Sequence, residues 1–600
     1  MTERPFDDLQ GFLAYLERQG ELRRVSVEVD PELEVTEIAT RVVREQGPAL
    51  LFERVKGADF PLAMNIFGSE RRIEMALGRH PAEIGEMLVG LAEKLNPPSL
   101  GRIWSQRGAL RELLNFRVAG FRGAPPGQEV VEEPRLDRMP VLKCWPGDGG
   151  RFLTYPTVLT THPETGGRNL GIYRMHVYDE RTTGMHWQIQ KGGRFHYWQA
   201  EQAGKPIEVA VVLGGDPALM LSAAVALPEN IDEVAFSGLM RGKPMAMTSA
   251  KTLGMKVPAN AEFVLEGVVP PVERHMEGPF GDHFGYYSKE AMFPVFHIRK
   301  VTRRRNAVYP ATVVGKPPQE DKYIGDATQE MVGPLVRLIR PEVKGLWAHY
   351  EAGFHNLLTV AVKVRYRREA IKTGLALLGE SQLSLTKCVI LVDADVNPRD
   401  FGAVLDAVRR NFEPESDLTV IPRAPLDTLD FSSFRRHLGS KMIVDATAPV
   451  EEDLSEASDR SDRSDSSDGS DLSDLSDLDN RIREWRLVRD TLLAVKVSGD
   501  GREVCEKLVR AALPASVKLV ATLSEDVDLS DQTQLIWGIF TRFDPARDLC
   551  FRRSELRGAW PVYEGPVGID ATFKEGYPDP LVMPDEIVQR VSARWGEYFA

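Results

Sequence analysis

Cysteine is scarce in this chain: four in 600 residues, Cys144, Cys388, Cys505 and Cys550, far apart and with no C-x-x-C pair. That spacing argues against a cysteine metal site or a disulfide scaffold and fits a reducing, cytoplasmic setting. No uninterrupted apolar run reaches membrane-spanning length, and Met-Thr-Glu-Arg-Pro-Phe-Asp-Asp at the start has no apolar signal region. Neither a membrane span nor a secretory leader is expected. A basic excess is missing too. The net charge is −13, and residues 451–480, with twelve acids and two arginines, carry most of it. A near-neutral body without a basic patch argues against a nucleic-acid partner. What the chain does have is 42% hydrophobic residues, enough for sizeable cores, over a length that implies roughly three to four domains.

The pattern along the chain is α/β multidomain. Residues 1–115 alternate helix and strand signals: Phe6, Leu9, Phe12, Leu13 and Leu16 share a helical face, and Glu21 to Val29, Ala49 to Phe52 and Leu62 to Ile66 read as strands. Residues 116–325 are mostly β, with strand-length runs at 154–161, 169–178, 207–213, 261–268, 295–301 and 307–314, and a barrel is the expected form. Helix is expected near 197–203 and 217–224. Residues 326–450 return to α/β. Residues 451–485 hold a Ser-Asp near-repeat with almost no apolar content, read as a disordered, solvated spacer.

Beyond the spacer the earlier pattern recurs. Lys387 is matched by Lys518, Asp395-Val396 by Asp526-Val527, Asp400 by Asp531, and Phe412-Glu-Pro by Phe543-Asp-Pro, all at one offset of 131 residues. Val444-Asp-Ala-Thr447 returns as Ile569-Asp-Ala-Thr572. Residues 486–600 therefore read as a diverged repeat of the preceding domain.

Two segments carry chemistry. Residues 277–287, Glu-Gly-Pro-Phe-Gly-Asp-His-Phe-Gly-Tyr-Tyr, place Glu277 and Asp282 among aromatics on a segment too rich in glycine and proline for a regular helix or central strand. Burial there is expected to raise a carboxyl pKa toward neutrality, where it can donate a proton; solvated acids in a turn are the plain alternative. Residues 168–174, Arg-Asn-Leu-Gly-Ile-Tyr-Arg, offer an amide oxygen for a hard cation at Asn169 and a bidentate anion binder at Arg174, with Gly171 as the expected bend that brings both to one face.

These segments occur in one order with Gly184-Met-x-Trp187-x-x-x-Lys191-Gly-Gly193, Leu213-Gly-Gly-Asp-Pro217, Glu233-x-Ala-x-x-Gly238, Val257-Pro-Ala-Asn-Ala-Glu262, Gly315-Lys-Pro-Pro318, Leu385-Thr-Lys387 and Gly439-Ser-Lys-Met442. The set resembles the UbiD family of decarboxylases, from about residue 5 to residue 447. The resemblance implies an N-terminal α/β domain, a central split β-barrel flavin-binding domain and a C-terminal α/β dimerisation-type domain. It implies prenylated FMN made by a partner flavin prenyltransferase, a divalent cation, usually Mn²⁺, often with K⁺, and loss of CO₂ from an aromatic or α,β-unsaturated acid.

Carried onto this sequence, the resemblance makes Asn169 and Glu233 metal ligands. Ile172, Tyr173, Arg174, His186, Trp187, Gln188, Lys191 and Gly192 become cofactor contacts, and Lys387 reaches the cofactor phosphate. Arg174 also holds the substrate carboxylate, Glu277 pairs with it, and Asp282 is the proton donor. Gln190 stands where many relatives have a histidine ligand, which leaves the metal preference open, with His186 or His196 as substitutes. The default substrate is 4-hydroxy-3-polyprenylbenzoate of quinone biosynthesis, whose lipophilic tail implies peripheral membrane association. A menaquinone-pathway naphthoate or a simple hydroxybenzoate is the alternative. A non-catalytic flavin-binding scaffold is the reading of another class. A homo-oligomer is expected, or a pseudo-dimer through the internal repeat.

Overall fold

A computed structural model describes residues 6–188, 192–228, 231–450 and 475–599. Ile189, Gln190 and Lys191 lie outside the described residues, as does most of the acidic spacer. The chain forms two compact units, residues 1–335 with 579–600, and residues 336–578.

The first unit opens with helix Leu9–Arg18, capped by the Asp8 carboxylate, which accepts the Gly11 N–H at 2.7 Å. Its buried face is the one the periodicity marks: Leu9, Phe12, Leu13 and Leu16. A four-stranded sheet follows, ordered Leu22–Val25, Ala49–Phe52, Leu62–Met64, Tyr309–Pro310. Of the expected strand at 307–314 only that last pair is strand, and Pro310 has no N–H to extend a ladder.

The central sheet runs Thr182–Gly184, Ala291–Arg303, Phe263–Val269, Ile207–Leu213, Thr157–Thr161, Arg168–Ile172. No pairing joins the first and last of these among the described residues, so this sheet does not close on itself, and the strand runs read as a barrel form an open sheet. Helices Gly192–Gln202, Pro217–Ser222 and Glu233–Arg241 accompany it. Glu233–Arg241 begins at Asp232, whose carboxylate accepts the N–H groups of Val234 and Ala235. Asp232 also pairs with Arg168, which ties that helix start to the edge strand.

The second unit contains two five-stranded sheets of one design. The first is ordered Val343–Ala348, Leu357–Val362, Cys388–Asp393, Gly439–Ala446, Leu418–Ala424; the second Ile482–Val488, Leu492–Val497, Leu519–Leu523, Val567–Ala571, Leu549–Cys550. In both, the outer strands are antiparallel and the inner pairings parallel. The matched residues do matched work. Asp400 caps helix Phe401–Asn411 and Asp531 caps Gln532–Phe540. Asp445 accepts from the Thr447 hydroxyl at 2.7 Å, and Asp570 from the Thr572 hydroxyl at 2.5 Å.

Two sequence boundaries move. Residues 475–485, expected within the spacer, include a helical turn Leu475–Leu478 and the start of strand Ile482–Val488. The expected repeat ran to residue 600, but Asp579–Ala600 fold with the first unit.

Candidate active site

Arg174 is the centre. Strand Arg168–Ile172 ends, Tyr173 and Arg174 lie between strands, and Met175–His176 resumes pairing. The break falls after Ile172, not at Gly171, which stays in register opposite Val158. Gly171 is needed for another reason: a Cβ there would sit 2.7 Å from the Tyr173 ring.

The Arg174 guanidinium spends its donors on three partners. Its Nε donates to Glu277 Oε1 at 3.1 Å, one terminal nitrogen pairs with Asp282, and the other donates to Ser288 Oγ at 2.9 Å. The cation stands over the Phe280 ring at 4.5 Å. The loop that supplies these partners consists of Arg274–Glu277, Phe280–Gly281, a turn, and Tyr287–Ser288. Phe280, Phe284 and Trp187 are all buried, so the pair sits in a largely dry setting.

The charge state differs from the sequence expectation. Burial alone would raise the Asp282 carboxyl, but Arg174 and then His283, whose Nδ1 lies 2.9 Å from Asp282 Oδ1, outweigh it and hold it well below the usual carboxylate range. Glu277 is lowered in the same way, burial being overcome by His186 and Arg174. His186 Nδ1 is 2.7 Å from Glu277 Oε1. The buried His186 Nε2, Trp187 Nε1 and Glu277 Oε2 have no hydrogen-bond partner among the described residues.

A second centre lies at the edge strand. Glu233 Oε2 accepts the Leu170 N–H at 3.0 Å, next in chain to the buried Asn169. No cationic side chain is paired with Glu233 among the described residues, and burial pushes its carboxyl up to about 7. Glycines 192 and 193 let the backbone approach these groups closely. A Cβ at Gly192 would meet Asn169 Oδ1 at 1.9 Å, and one at Gly193 would meet Trp187 Nε1 at 2.8 Å. Gln188 borders the undescribed segment that holds Gln190 and Lys191. His196, the other substitute ligand, places Nδ1 2.9 Å from Thr160 Oγ1. Among the described residues no three His, Cys, Asp or Glu side chains gather as a metal cluster. An amide oxygen and one carboxylate are what Asn169 and Glu233 offer.

Lys387, the expected phosphate contact, faces an acid of its own unit. It is wholly buried in the second unit with Nζ 2.8 Å from Asp430, an ion pair internal to that unit.

Several residues at the site were not singled out from sequence. Ser288 completes the Arg174 cage. Asp148 braces the loop: its Oδ1 accepts the Gly281 N–H at 2.7 Å, and its Oδ2 accepts from Cys144 and Trp145. Burial lifts its carboxyl to about 6 against those backbone bonds. The Asp-Gly-Gly that follows Trp145-Pro was a local signal of a turn, but nothing local showed which loop it faces.

Comparison with known proteins assigns the class. Residues 13–91 match the 3-octaprenyl-4-hydroxybenzoate carboxy-lyase N-terminal domain, 121–317 its Rift-related domain, and 322–446 with 489–559 its C-terminal domain. A protein of Archaeoglobus fulgidus is 46% identical over 444 residues, covering 74% of this chain and 92% of that one. A Chlamydia pneumoniae protein, named as one of the subunits of a 4-hydroxybenzoate decarboxylase, is 36% identical, covering 98% of both. Among solved structures, vanillic acid decarboxylase of Sedimentibacter hydroxybenzoicus in closed form superposes with a TM-score of 0.67 at 28% identity, covering 75% of this chain and 94% of that one. The UbiD-class enzyme HmfF of Pelotomaculum thermopropionicum, in complex with prFMN, gives 0.62 at 27%, covering 74% and 96%. The fold and these matches define a carboxy-lyase. The chain belongs to the UbiD family.

Proposed function

We propose that this chain decarboxylates, reversibly, an aromatic or α,β-unsaturated carboxylic acid with prenylated FMN. The observation that carries the reading is the buried Arg174 caged by Glu277, Asp282 and Ser288. It is a cation in a dry site, set to exchange one carboxylate partner for another.

Asn169 and Glu233, with Gln190, would hold a divalent cation, Mn²⁺ first, with K⁺ nearby. Glu233 suits this, being a half-buried carboxylate with no cation paired to it among the described residues. Ile172, Tyr173, Arg174, His186, Trp187, Gln188, Lys191 and Gly192 would line the cofactor. The orphaned nitrogens of His186 and Trp187 support a bound group there. Lys387 is left out, because its ammonium is committed to Asp430. Prenylated FMN supplies the electron sink that an aromatic ring lacks.

The chain's own groups do the rest. The substrate carboxylate takes the donors of Arg174 now given to Asp282. Asp282, still buried but without its cation, then climbs in pKa and can carry a proton. CO₂ leaves as its bond to the ring breaks, and Asp282 returns a proton to that carbon. Glu277 keeps Arg174 aligned, and Phe280, Phe284 and Trp187 exclude water. The test is Asp282→Asn, made together with a flavin prenyltransferase. Product formation should fall by about 10²–10⁴-fold while the flavin absorbance stays. Retained turnover would remove Asp282 as donor.

The substrate proposed first is 4-hydroxy-3-polyprenylbenzoate, in line with the matching family description. A simple hydroxybenzoate is second, favoured by the name of the Chlamydia pneumoniae relative. CO₂ release across a panel of both decides, and peripheral membrane association is expected only for the first. No helix among the described residues is long and apolar enough to cross a membrane.

The second sheet of the 336–578 unit is proposed as a diverged copy of the first, forming a pseudo-dimer in one chain. Shared strand order, caps and Asp-Thr turns support it, and so does the reciprocity of the contacts. Lys518 pairs with Glu413 at 2.7 Å, while Lys387 stands over Phe543, next to Asp544. Arg489 of the second pairs with Asp406 on the helix of the first, and Phe401 meets Phe540. Crosslinking a mixture of isotopically light and heavy protein checks this. Lys518–Glu413 links should be light–light or heavy–heavy; mixed links at that pair would refute it.

A further inference from the structure

The last residues of the chain return to the loop that carries Asp282. The Leu581 N–H donates to Gly285 O at 2.9 Å, the Tyr287 N–H donates to Asp579 O at 3.3 Å, and Tyr286 and Pro580 form an antiparallel bridge. Residues 579–581 thus lie as a short extra strand along 285–287. That stretch is the far side of the Asp282 turn. The Asp282 N–H donates to Tyr286 O at 3.0 Å, and the Gly285 N–H donates to Asp282 O at 2.9 Å. Leu581 also packs from the side: a Cβ on Gly281 would sit 2.9 Å from Leu581 Cδ2. Leu581 and Met583 are buried in the main core of the unit.

An anchor follows. Helix Asp585–Tyr598 buries Ile587, Val591 and Tyr598. It grips helix Glu34–Arg44 at two points. Glu34 Oε1 accepts from Arg594 at 2.5 Å and from the Tyr598 hydroxyl at 2.6 Å. Arg41 donates to Val588 O at 2.8 Å and to Ser592 Oγ at 3.0 Å, with its cation 5.4 Å from the Trp595 ring centroid. None of these anchor contacts involves Arg174 or Asp282. Within residues 579–583, then, the Asp579 carbonyl and the Leu581 N–H are given to the Asp282 turn, and Leu581 and Met583 are buried beside it.

We propose that residues 579–583 are a positioning strand for Asp282, held taut by the C-terminal helix, and that they set the angle at which this carboxylate meets Arg174 and the substrate carbon. The inference rests on Asp282 as proton donor. The tail donates no group to the chemistry; it fixes the turn against which the donor is aimed. A misplacement of about 1 Å can cost about 10²-fold in rate, so the tail acts on kcat through geometry.

The experiment uses full-length holoenzyme. Leu581→Pro removes the N–H that donates to Gly285, Leu581→Met keeps it along with the side-chain volume, and Arg594→Ala loosens the anchor far from the loop. Expected results are a fall in kcat of about 10–100-fold for Leu581→Pro, a smaller fall for Arg594→Ala, KM within about twofold, and an unchanged flavin spectrum. Two further readouts should move with kcat: the pH profile of kcat should shift, and amide exchange at 282–287 should quicken. Leu581→Met should restore both. If Leu581→Pro does not fold, Arg594→Ala alone decides. Wild-type kcat in the variants, or lowered kcat with pH profile and loop exchange unmoved, overturns the proposal. Turnover by Asp282→Asn would instead overturn the donor reading, so the two failures are distinguishable.

Discussion

Glu277 and Asp282, both buried, and the half-buried Glu233 are carboxyl groups of one unit, yet desolvation ends in opposite results. Glu277 and Asp282 share a resident cation, Arg174, with histidines in support, and both are held below the ordinary carboxylate range. Among the described residues Glu233 is met by the backbone of its own helix start and of Leu170 and by no cation, and its carboxyl rises to about 7. Desolvation is the leading influence at each, and the sign of the outcome is set by whether a cation is built in. The first centre is internally neutralised, and in the proposed mechanism it opens when a substrate anion competes for Arg174. The second is the one proposed to take a divalent cation.

Removing the built-in cation should break the comparison most severely. Arg174→Met leaves two carboxylates buried without their partner. Turnover should vanish in a CO₂-release assay, and denaturant unfolding should show a loss of about 3–5 kcal/mol, the usual cost of breaking a buried pair from one side. If stability is unchanged, the two acids do not depend on Arg174.

Glu233→Gln should have a smaller effect. It removes the carboxylate proposed as a metal ligand while keeping an amide of the same shape, and Mn²⁺ affinity by calorimetry should weaken by about 10–100-fold. The protein should stay folded, because the neutral amide removes the unpaired half-buried carboxylate. Unchanged Mn²⁺ affinity would mean the cation sits elsewhere.

The smallest effect is in pH dependence, and its sign differs between the centres. Glu233 is raised in the fold, so the metal-free protein gains from its neutral form below the ordinary value of 4.5 and loses that gain as pH rises through about 7. Asp282 is lowered, so its contribution is present above the ordinary value of 3.8 and is lost as pH falls through its folded value. Thermal melts from pH 5 to about 8, with and without Mn²⁺, should show a falling melting temperature that Mn²⁺ flattens. Glu233→Gln should abolish the Mn²⁺ effect and shrink the fall without erasing it, since Asp148, Asp216 and Glu262, also raised by burial, remain in that variant.

Much of the fold was legible because some strands are buried on both faces. Ala49–Phe52, Ile207–Leu213 and Cys388–Asp393 are apolar runs whose limits coincide with the strands. Helix Glu34–Arg44 gave no such warning. It starts after Leu33 at φ 67° with no capping side chain, so the usual entry signal is absent. At the site, the residue types in Asn169, Arg174, Glu233, Glu277 and Asp282 were readable by their order. The charge state of Asp282 was not, because it depends on Arg174, more than a hundred residues away in sequence.

By itself the sequence determined the α/β pattern, the matches at a 131-residue offset, and an ordered set of motifs that resembles one family of decarboxylases. The pattern and the matches follow from local periodicity and residue identity, which do not need the fold, and the proposed site residues come from the resemblance. Only the tertiary structure decided that the sheet stays open, that Lys387 is spent on Asp430, that Asp148 braces Gly281, and that residues 579–600 leave the second unit to lie along the Asp282 turn. Each of these is a pairing across a long stretch of chain, and such pairings are chosen by burial and by the need to satisfy every buried polar group, not by neighbours in sequence.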